Sequence, residues 1–328
     1  MTAMPVRARP PKPRRFWLYA PYVALLIAIA VWSAAWGMLS QQAVRRMDDE
    51  AQRLRDRGWT VAWSQRRVDG YPFRLDVSLS DPRIAEPSGW ALAAPQLNGE
   101  AYAYAPHHWV LVAPQGLTVT RPGRGAVTLA GQALRASIAA AGPGQPPRIA
   151  VEGRGLTLTP APGAKGLPIV ACDHLGLYLR PRPDDQAEFQ LQLQGAAPAA
   201  GGMLARMAPG QPFDLIWDQT VTRASALKGS NWPAAVRAWG AAGGVLTATR
   251  GEIRTLGVTL VIKSGDLAIG PDGKPQGALS LDLSHAGAAP GRLGPAIALA
   301  SAFRSQLRLA NGSLLLGPFR IAAAPRVY

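Results

Sequence analysis

From Trp17 to Leu39 the chain carries no charged residue, and this run constrains the architecture more than any other feature. At about 1.5 Å per helical residue it reaches roughly 35 Å, enough to cross a hydrocarbon layer of about 30 Å with some tilt. Trp17 and Tyr19 stand at one end, Trp32 and Trp36 near the other, where amphipathic rings favour the headgroup level. Residues 1–16 hold Arg7, Arg9, Lys12, Arg14 and Arg15 without an acid, whereas the segment after the run mixes Arg45, Arg46, Arg53, Arg55 and Arg57 with Asp48, Asp49, Glu50 and Asp56. By the positive-inside rule the tail 1–16 stays cytoplasmic and the remainder is exported. The expectation is therefore a single-pass anchor, Trp17 to Leu39, in a bacterial inner membrane, with the bulk of the chain in the periplasm. A cleaved signal peptide is the rival, because Ser33-Ala34-Ala35 offers small residues; the apolar run is longer than the roughly 7 to 15 residues such signals use.

Residues 40–57 read as a helical stalk. Val44, Met47, Ala51 and Leu54 follow 3-4-3 spacing, with opposite charges at Arg46/Glu50 and Asp49/Arg53, and Gly58 is a natural stop. Two heptads support either a stalk lying against its own domain or self-association through the seam.

Beyond Gly58 the period changes from 3.6 to 2. In Tyr71-Pro72-Phe73-Arg74-Leu75-Asp76-Val77-Ser78-Leu79 apolar and polar residues alternate, as in a strand with one buried face. The pattern recurs at Leu117/Val119, Leu134/Ala136/Ile138, Phe189/Leu191/Leu193, Phe213/Leu215/Trp217, Val258/Leu260/Ile262 and Leu279/Leu281/Leu283. Half-buried strands of this kind are antiparallel. Turns fall at Ser80-Asp81-Pro82, Arg121-Pro122-Gly123, Arg182-Pro183-Asp184-Asp185 and Gly270-Pro271-Asp272-Gly273-Lys274; the last lacks phosphate-loop spacing and reads as a hairpin. Short helices are expected at Met203 to Met207, at Trp232/Val236/Trp239 and near Ala296/Leu299/Phe303. The fold class is mainly β: a curved antiparallel sheet domain, 58–328, with a few short helices.

The chemistry inventory is thin. Four histidines (His107, His108, His174, His285) and one cysteine, Cys172, show no zinc-ligand spacing and permit no intramolecular disulfide. Cys172 and His174 would share a face of a strand over Ile169 to Leu179, superficially a nucleophile and base of a hydrolase; a buried small cysteine beside a half-exposed histidine is the plainer reading. No nucleotide loop or paired catalytic carboxylates stand out, so the chain reads as a non-enzyme without a cofactor. Of the net charge of +15, five lie in the tail 1–16, and the +10 left for the exported part suits anionic headgroups rather than nucleic acid.

Asp69-Gly70-Tyr71-Pro72-Phe73-Arg74-Leu75-Asp76, Trp90 to Pro95 leading to Ala101-Tyr102-Ala103-Tyr104-Ala105-Pro106-His107-His108, and the C-terminal Gly317-Pro318-Phe319-Arg320 resemble the alphaproteobacterial family known as domain of unknown function 2125. This chain has His107-His108 where that pattern leads one to expect Asn-His. The resemblance implies an anchor and an exported β-rich domain, with no activity to inherit. The architecture is loosely similar to AsmA-like envelope proteins, whose curved sheets present an apolar groove to lipids. Within the motif Gly70, Tyr71, Pro72, Phe73, Arg74, Gly70 would allow an unusual backbone angle, Pro72 would mark an edge or bulge, Phe73 would anchor in the core and Arg74 would face outward. Two functions follow as expectations. One is lipid handling or envelope maintenance through a groove lined by Leu191, Leu260, Leu281 and Leu316; the other is a structural subunit binding another envelope protein through a sheet edge or the stalk.

Overall fold

A computed structural model describes residues 16–140, 145–201, 205, 210–255, 258–285, 306–316, 319–323 and 327. The helices expected at Met203 to Met207 and near Ala296/Leu299/Phe303 fall outside these residues.

Helix α1 runs unbroken over Phe16–Asp56. The apolar run and the stalk, expected as two segments, are one helix because Ser40-Gln41-Gln42 is polar but contains no breaker. Gly58, at φ 84°, ends it: Trp59 N donates to Leu54 O and Gly58 N to Arg55 O, the paired bonds that close a helix on a left-handed glycine. The helix is long and apolar enough to cross a membrane, and its apolar window is wholly unburied. Large exposed apolar side chains, among them Tyr22, Leu25, Leu26, Ile27 and Val31, concentrate there.

The remaining chain is a meander in which each long strand pairs antiparallel with the one before it. The first five are interrupted midway: β1 (Thr60–Ala62) with β2 (Gln65–Asp69), β3 (Arg74–Ser80) with β4 (Arg83–Ala85), β5 (Ala91–Ala93) with β6 (Gln96–Tyr102), β7 (Ala105–Val112) with β8 (Leu117–Arg121), and β9 (Gly125–Ala130) with β10 (Ala133–Ala139). Register shows that these are bent strands rather than separate ones. Thr60 faces Ala85 and Asp69 faces Asp76 with no slip between. Unbroken strands continue the sheet: β11 (Arg148–Pro160), β12 (Ile169–Arg182), β13 (Gln186–Pro198), β14 (Phe213–Val221), β15 (Leu246–Thr255), β16 (Val258–Ile269) and β17 (Pro275–His285). The short β18 (Gln306–Ala310), β19 (Ser313–Leu316) and β20 (Phe319–Ala323) complete one twenty-stranded sheet.

The interruptions align across the sheet, at Ser64, Asp81-Pro82, Pro95, Pro114 to Gly116 and Gly131-Gln132. Gly155 and Gly195 prolong the line into β11 and β13 with φ of 55° and 57°. A left-handed residue re-aims the pleat, and the core records it. Leu193 and Ala196 both join the cluster of Val127, Leu156, Leu158, Cys172 and Phe213, against which Leu175 also packs. Spacing of three rather than two keeps apolar side chains inside while the sheet bends.

Period-two alternation makes the sheet amphipathic. Val77, Gly99, Leu111, Ala136, Val151, Leu177, Leu191, Trp217, Gly251, Ile262 and Leu281 are successive cross-strand partners, a single apolar row through eleven strands. The opposite face carries ion pairs such as Arg135 to Glu152 and Lys263 to Asp282. Helix α2 (Trp232–Ala241) is capped by Asn231, whose side chain accepts from Ala234 N, and buries Ala235, Val236 and Trp239. The loop before it reaches the start of the sheet: Trp59 Nε1 donates to Ser230 O at 3.0 Å, and Trp232 N to Glu86 Oε2 at 3.1 Å. The sheet therefore curls far enough to bring remote strands together.

Candidate functional site

Two features stand at the N-terminal end of the sheet. The first is the motif Gly70 to Arg74, which forms the β2–β3 hairpin turn. Gly70 has φ 103°, and a Cβ there would stand 2.7 Å from Arg74 O, so only glycine fits. Tyr71-Pro72 is a cis peptide. The core role expected for Phe73 is overturned: Phe73 is 62% exposed because it lies in the turn, beyond the strand whose alternation would bury it. Its ring tilts against Trp32 of α1 at 6.2 Å, and Tyr71 meets Trp36 edge-on at 5.5 Å. Trp32 Nε1 donates to Pro72 O and Trp36 Nε1 to Arg74 O, each at 2.8 Å, while Ser33 Oγ and the Tyr71 hydroxyl share a bond of the same length. The motif is thus docked on α1 near the end of its apolar run. Arg74 is half-exposed and bridges Asp76 and Glu100. Further along α1, Asp48 receives a bidentate pair from Arg66 at 2.6 and 3.0 Å, and the Arg66 guanidinium holds the Asp48 carboxyl below its ordinary range.

The second feature is an apolar cleft of about 430 Å³ on the inner face of the bend. Val61, Leu79, Ile84, Leu92, Leu97, Leu111, Leu117, Leu134, Ile138, Ile149 and Val151 line it, with Trp63 from the β1–β2 junction; Arg83 and Arg135 border it, but almost no polar atom faces in. Leu92 remains 43% exposed. Arg135 is committed to Glu152 on the opposite face, Nε to Oε2 at 3.0 Å, whereas Arg83 is exposed and has no ion pair among the described residues. Leu191, Leu260 and Leu281 do not line this cleft. Leu191 lies in the same apolar row but faces Trp217, and Leu281 packs on Ala248, Ile262 and Leu279. The Leu316 side chain falls outside the described residues. The cleft's own signal was present in the sequence as the apolar alternation at Leu117/Val119 and Leu134/Ala136/Ile138; alternation does not say which part of an apolar face stays open.

The other candidates dissolve into structure. Cys172 is 3% exposed inside the bend cluster, and burial pushes its thiol up. Cys172 and, three residues on, Leu175 both pack in the bend cluster, which turns the intervening His174 away from the core, so the two do not share a face as strict alternation had them do. Nothing there activates a thiolate. His108 Nε2 pairs with Ser137 Oγ at 2.9 Å. Gly270 to Lys274 is a hairpin turn, Gly270 N donating to Lys274 O. Among the described residues no three His, Cys, Asp or Glu gather as metal ligands.

No curated protein and no solved structure matches the chain, so the likeness to AsmA-like architecture finds no counterpart there. A family model does match, over residues 36–325, from Trp36 through the docked motif, the cleft and the C-terminal strands. The chain belongs to the family of uncharacterized proteins conserved in bacteria designated DUF2125.

Proposed function

We propose that this protein is a single-pass inner-membrane protein whose exported sheet shelters the acyl chain of an anionic membrane lipid in the apolar cleft at its bend, serving lipid handling or envelope maintenance. The observation that carries the reading is the cleft. Its volume falls within the roughly 300–1,000 Å³ of small-molecule sites, and its wall is almost wholly aliphatic. A protein interior normally closes such space, and an apolar surface left open favours an apolar occupant. Arg83, an exposed cation on a strand that borders the cleft, suits a phosphate headgroup. The unburied apolar helix supplies a nearby source of lipid, and the basic residues of the tail 1–16 favour its retention in the cytoplasm.

The test uses the full chain, gently extracted and analysed for bound lipid by mass spectrometry. Wild type should carry phospholipid above a detergent-only control. Leu92→Asp, at a position exposed enough to tolerate charge, and Arg83→Glu should each lower it several-fold while leaving the melting curve in place. A wild type without lipid, or folded variants that retain it, would remove the reading and bring forward a protein partner at the sheet edge or stalk. A periplasm-dependent reporter fused after Arg57 should be active and one fused after Arg15 silent; the reverse would overturn the orientation.

A further inference from the structure

The described aromatic residues of the domain are not spread evenly over its surface. Tyr71 and Phe73 in the β2–β3 turn are 52% and 62% exposed, and Tyr102 and Tyr104 at the β6–β7 turn are 52% and 70% exposed. These turns are neighbours: Arg74 faces Tyr102 across β3 and β6, and Ala103 N donates to Phe73 O at 2.9 Å. Tyr102 and Tyr104 stack at 5.0 Å. Four exposed rings, three with a hydroxyl, thus share one end of the sheet.

That end is fixed to α1 at a definite height. Trp32 and Trp36 lie roughly 22 and 28 Å along the helix axis from Trp17, close to the far boundary of a hydrocarbon layer about 30 Å thick. Their indole nitrogens hold the carbonyls of Pro72 and Arg74, so the turn cannot stand clear of that boundary while α1 spans. Exposed Phe and Tyr rings are unfavourable in bulk water but match the interface, where the ring meets acyl chain and the hydroxyl meets headgroup. Next to the β6–β7 turn, the exposed His107 on β7 and Arg148 on β11 offer donors to headgroup phosphates; Arg148 and His108 of β7 both face Ala139.

We infer that the β2–β3 and β6–β7 turns form a second membrane contact, with Tyr71, Phe73, Tyr102 and Tyr104 seated in the interfacial layer of the leaflet at the far end of α1. The contact fixes the sheet upright on the bilayer, so the domain does not swing on its helix. The inference rests on the membrane-anchor part of the function proposed above and is independent of whether the cleft takes lipid.

The experiment uses the full chain reconstituted in vesicles of phosphatidylethanolamine and phosphatidylglycerol, with an environment-sensitive fluorophore on Phe73→Cys, Tyr104→Cys, Leu26→Cys or Arg53→Cys. Cys172 is buried, and unlabelled wild type checks its silence. Nitroxides near the headgroup end of the lipid chain should quench the labels at 73 and 104 several-fold more than the label at 53, and aqueous iodide should do the opposite. The label at 26 should respond to nitroxides deep in the chain. If 26 is lipid-exposed while 73 and 104 are as open to iodide as 53, the second contact does not exist although the anchor does. If 73 and 104 are shielded from iodide but not reached by any nitroxide, protein covers them, a second copy included, and the inference falls. If 26 itself is open to water, the anchor reading fails and takes this inference with it.

Discussion

The strands before and after residue 160 share one apolar row and treat it differently. Before it the row reads Val77, Gly99, Leu111, Ala136, Val151; after it, Leu177, Leu191, Trp217, Gly251, Ile262, Leu281. In the second half Trp217 lies over Gly251, where an added Cβ would come within 3.1 Å of its ring, and it packs with Leu267, Leu281 and Leu307 on Ala248, Ile262 and Leu279. The corresponding row of the first half holds no residue larger than leucine, with Trp109 reaching over Gly99 from beside it, and its Leu111, Ala136 and Val151 line the cleft. Alternation decides which face of a sheet is apolar. Side-chain volume decides whether that face closes on itself.

The sharpest test of the filled core is Phe213→Ala. Phe213 is 3% exposed in the bend cluster, and its truncation should lower stability by about 3 to 5 kcal/mol. Phe73→Ala, at an exposed turn, should cost no more than about 1.5 kcal/mol, the scale of its one ring contact with Trp32. Denaturant melts of the full chain in detergent measure both. Equal losses would break the distinction between a packed and an open aromatic site.

A smaller effect is expected at the bend. Gly195 is left-handed, and an added Cβ would run into the Asp173 carboxylate. Gly195→Ala should therefore cost about 1 to 3 kcal/mol, part backbone strain and part collision. Asp173→Ala in the same chain should recover the collision part and leave the strain. Additive losses would show that Asp173 is not what the glycine avoids.

Much of this architecture was legible because it is periodic. The uncharged run, the change of period after Gly58 and the proline- and glycine-containing turns specify a helix followed by an antiparallel sheet; the order of its strands was not among what they specify. What was not legible is what periodicity cannot carry. Phe73 continues the alternation of β3 on paper, yet it sits one residue beyond the strand, in the turn, and its contacts are with Trp32, 41 positions earlier. Cys172 and His174 look like residues of one face until the left-handed glycines on the neighbouring strands re-aim the pleat. Leu191 and Leu281 lie in the same apolar row as Leu111 and Val151, but alternation does not say which part of that row borders the cleft.

The smallest effect concerns how the open half is held. Arg66 is 19% exposed at its side chain, meets Asp48 of α1 in a bidentate pair, and also lies over Trp63, a wall of the cleft. The Asp48 carboxyl is held below its ordinary range chiefly by the hydrogen bond from Arg66. A carboxyl lowered on folding contributes stability above its unfolded value, about pH 3.9, and loses that contribution as pH falls through the lower folded value. Asp48 is half-exposed, so screening keeps the contribution under about 1 kcal/mol. Glu152, Asp185, Glu252 and Asp272 are lowered as well, so overall acid sensitivity does not isolate this pair; the difference between wild type and Asp48→Asn does. Amide exchange at neutral pH should show slightly faster opening of Gln65–Asp69 in Asp48→Asn, with β14 and β15 unchanged, and the difference should vanish in acid. Equal loosening of both halves would mean that the stalk braces the whole sheet rather than the edge beside the cleft.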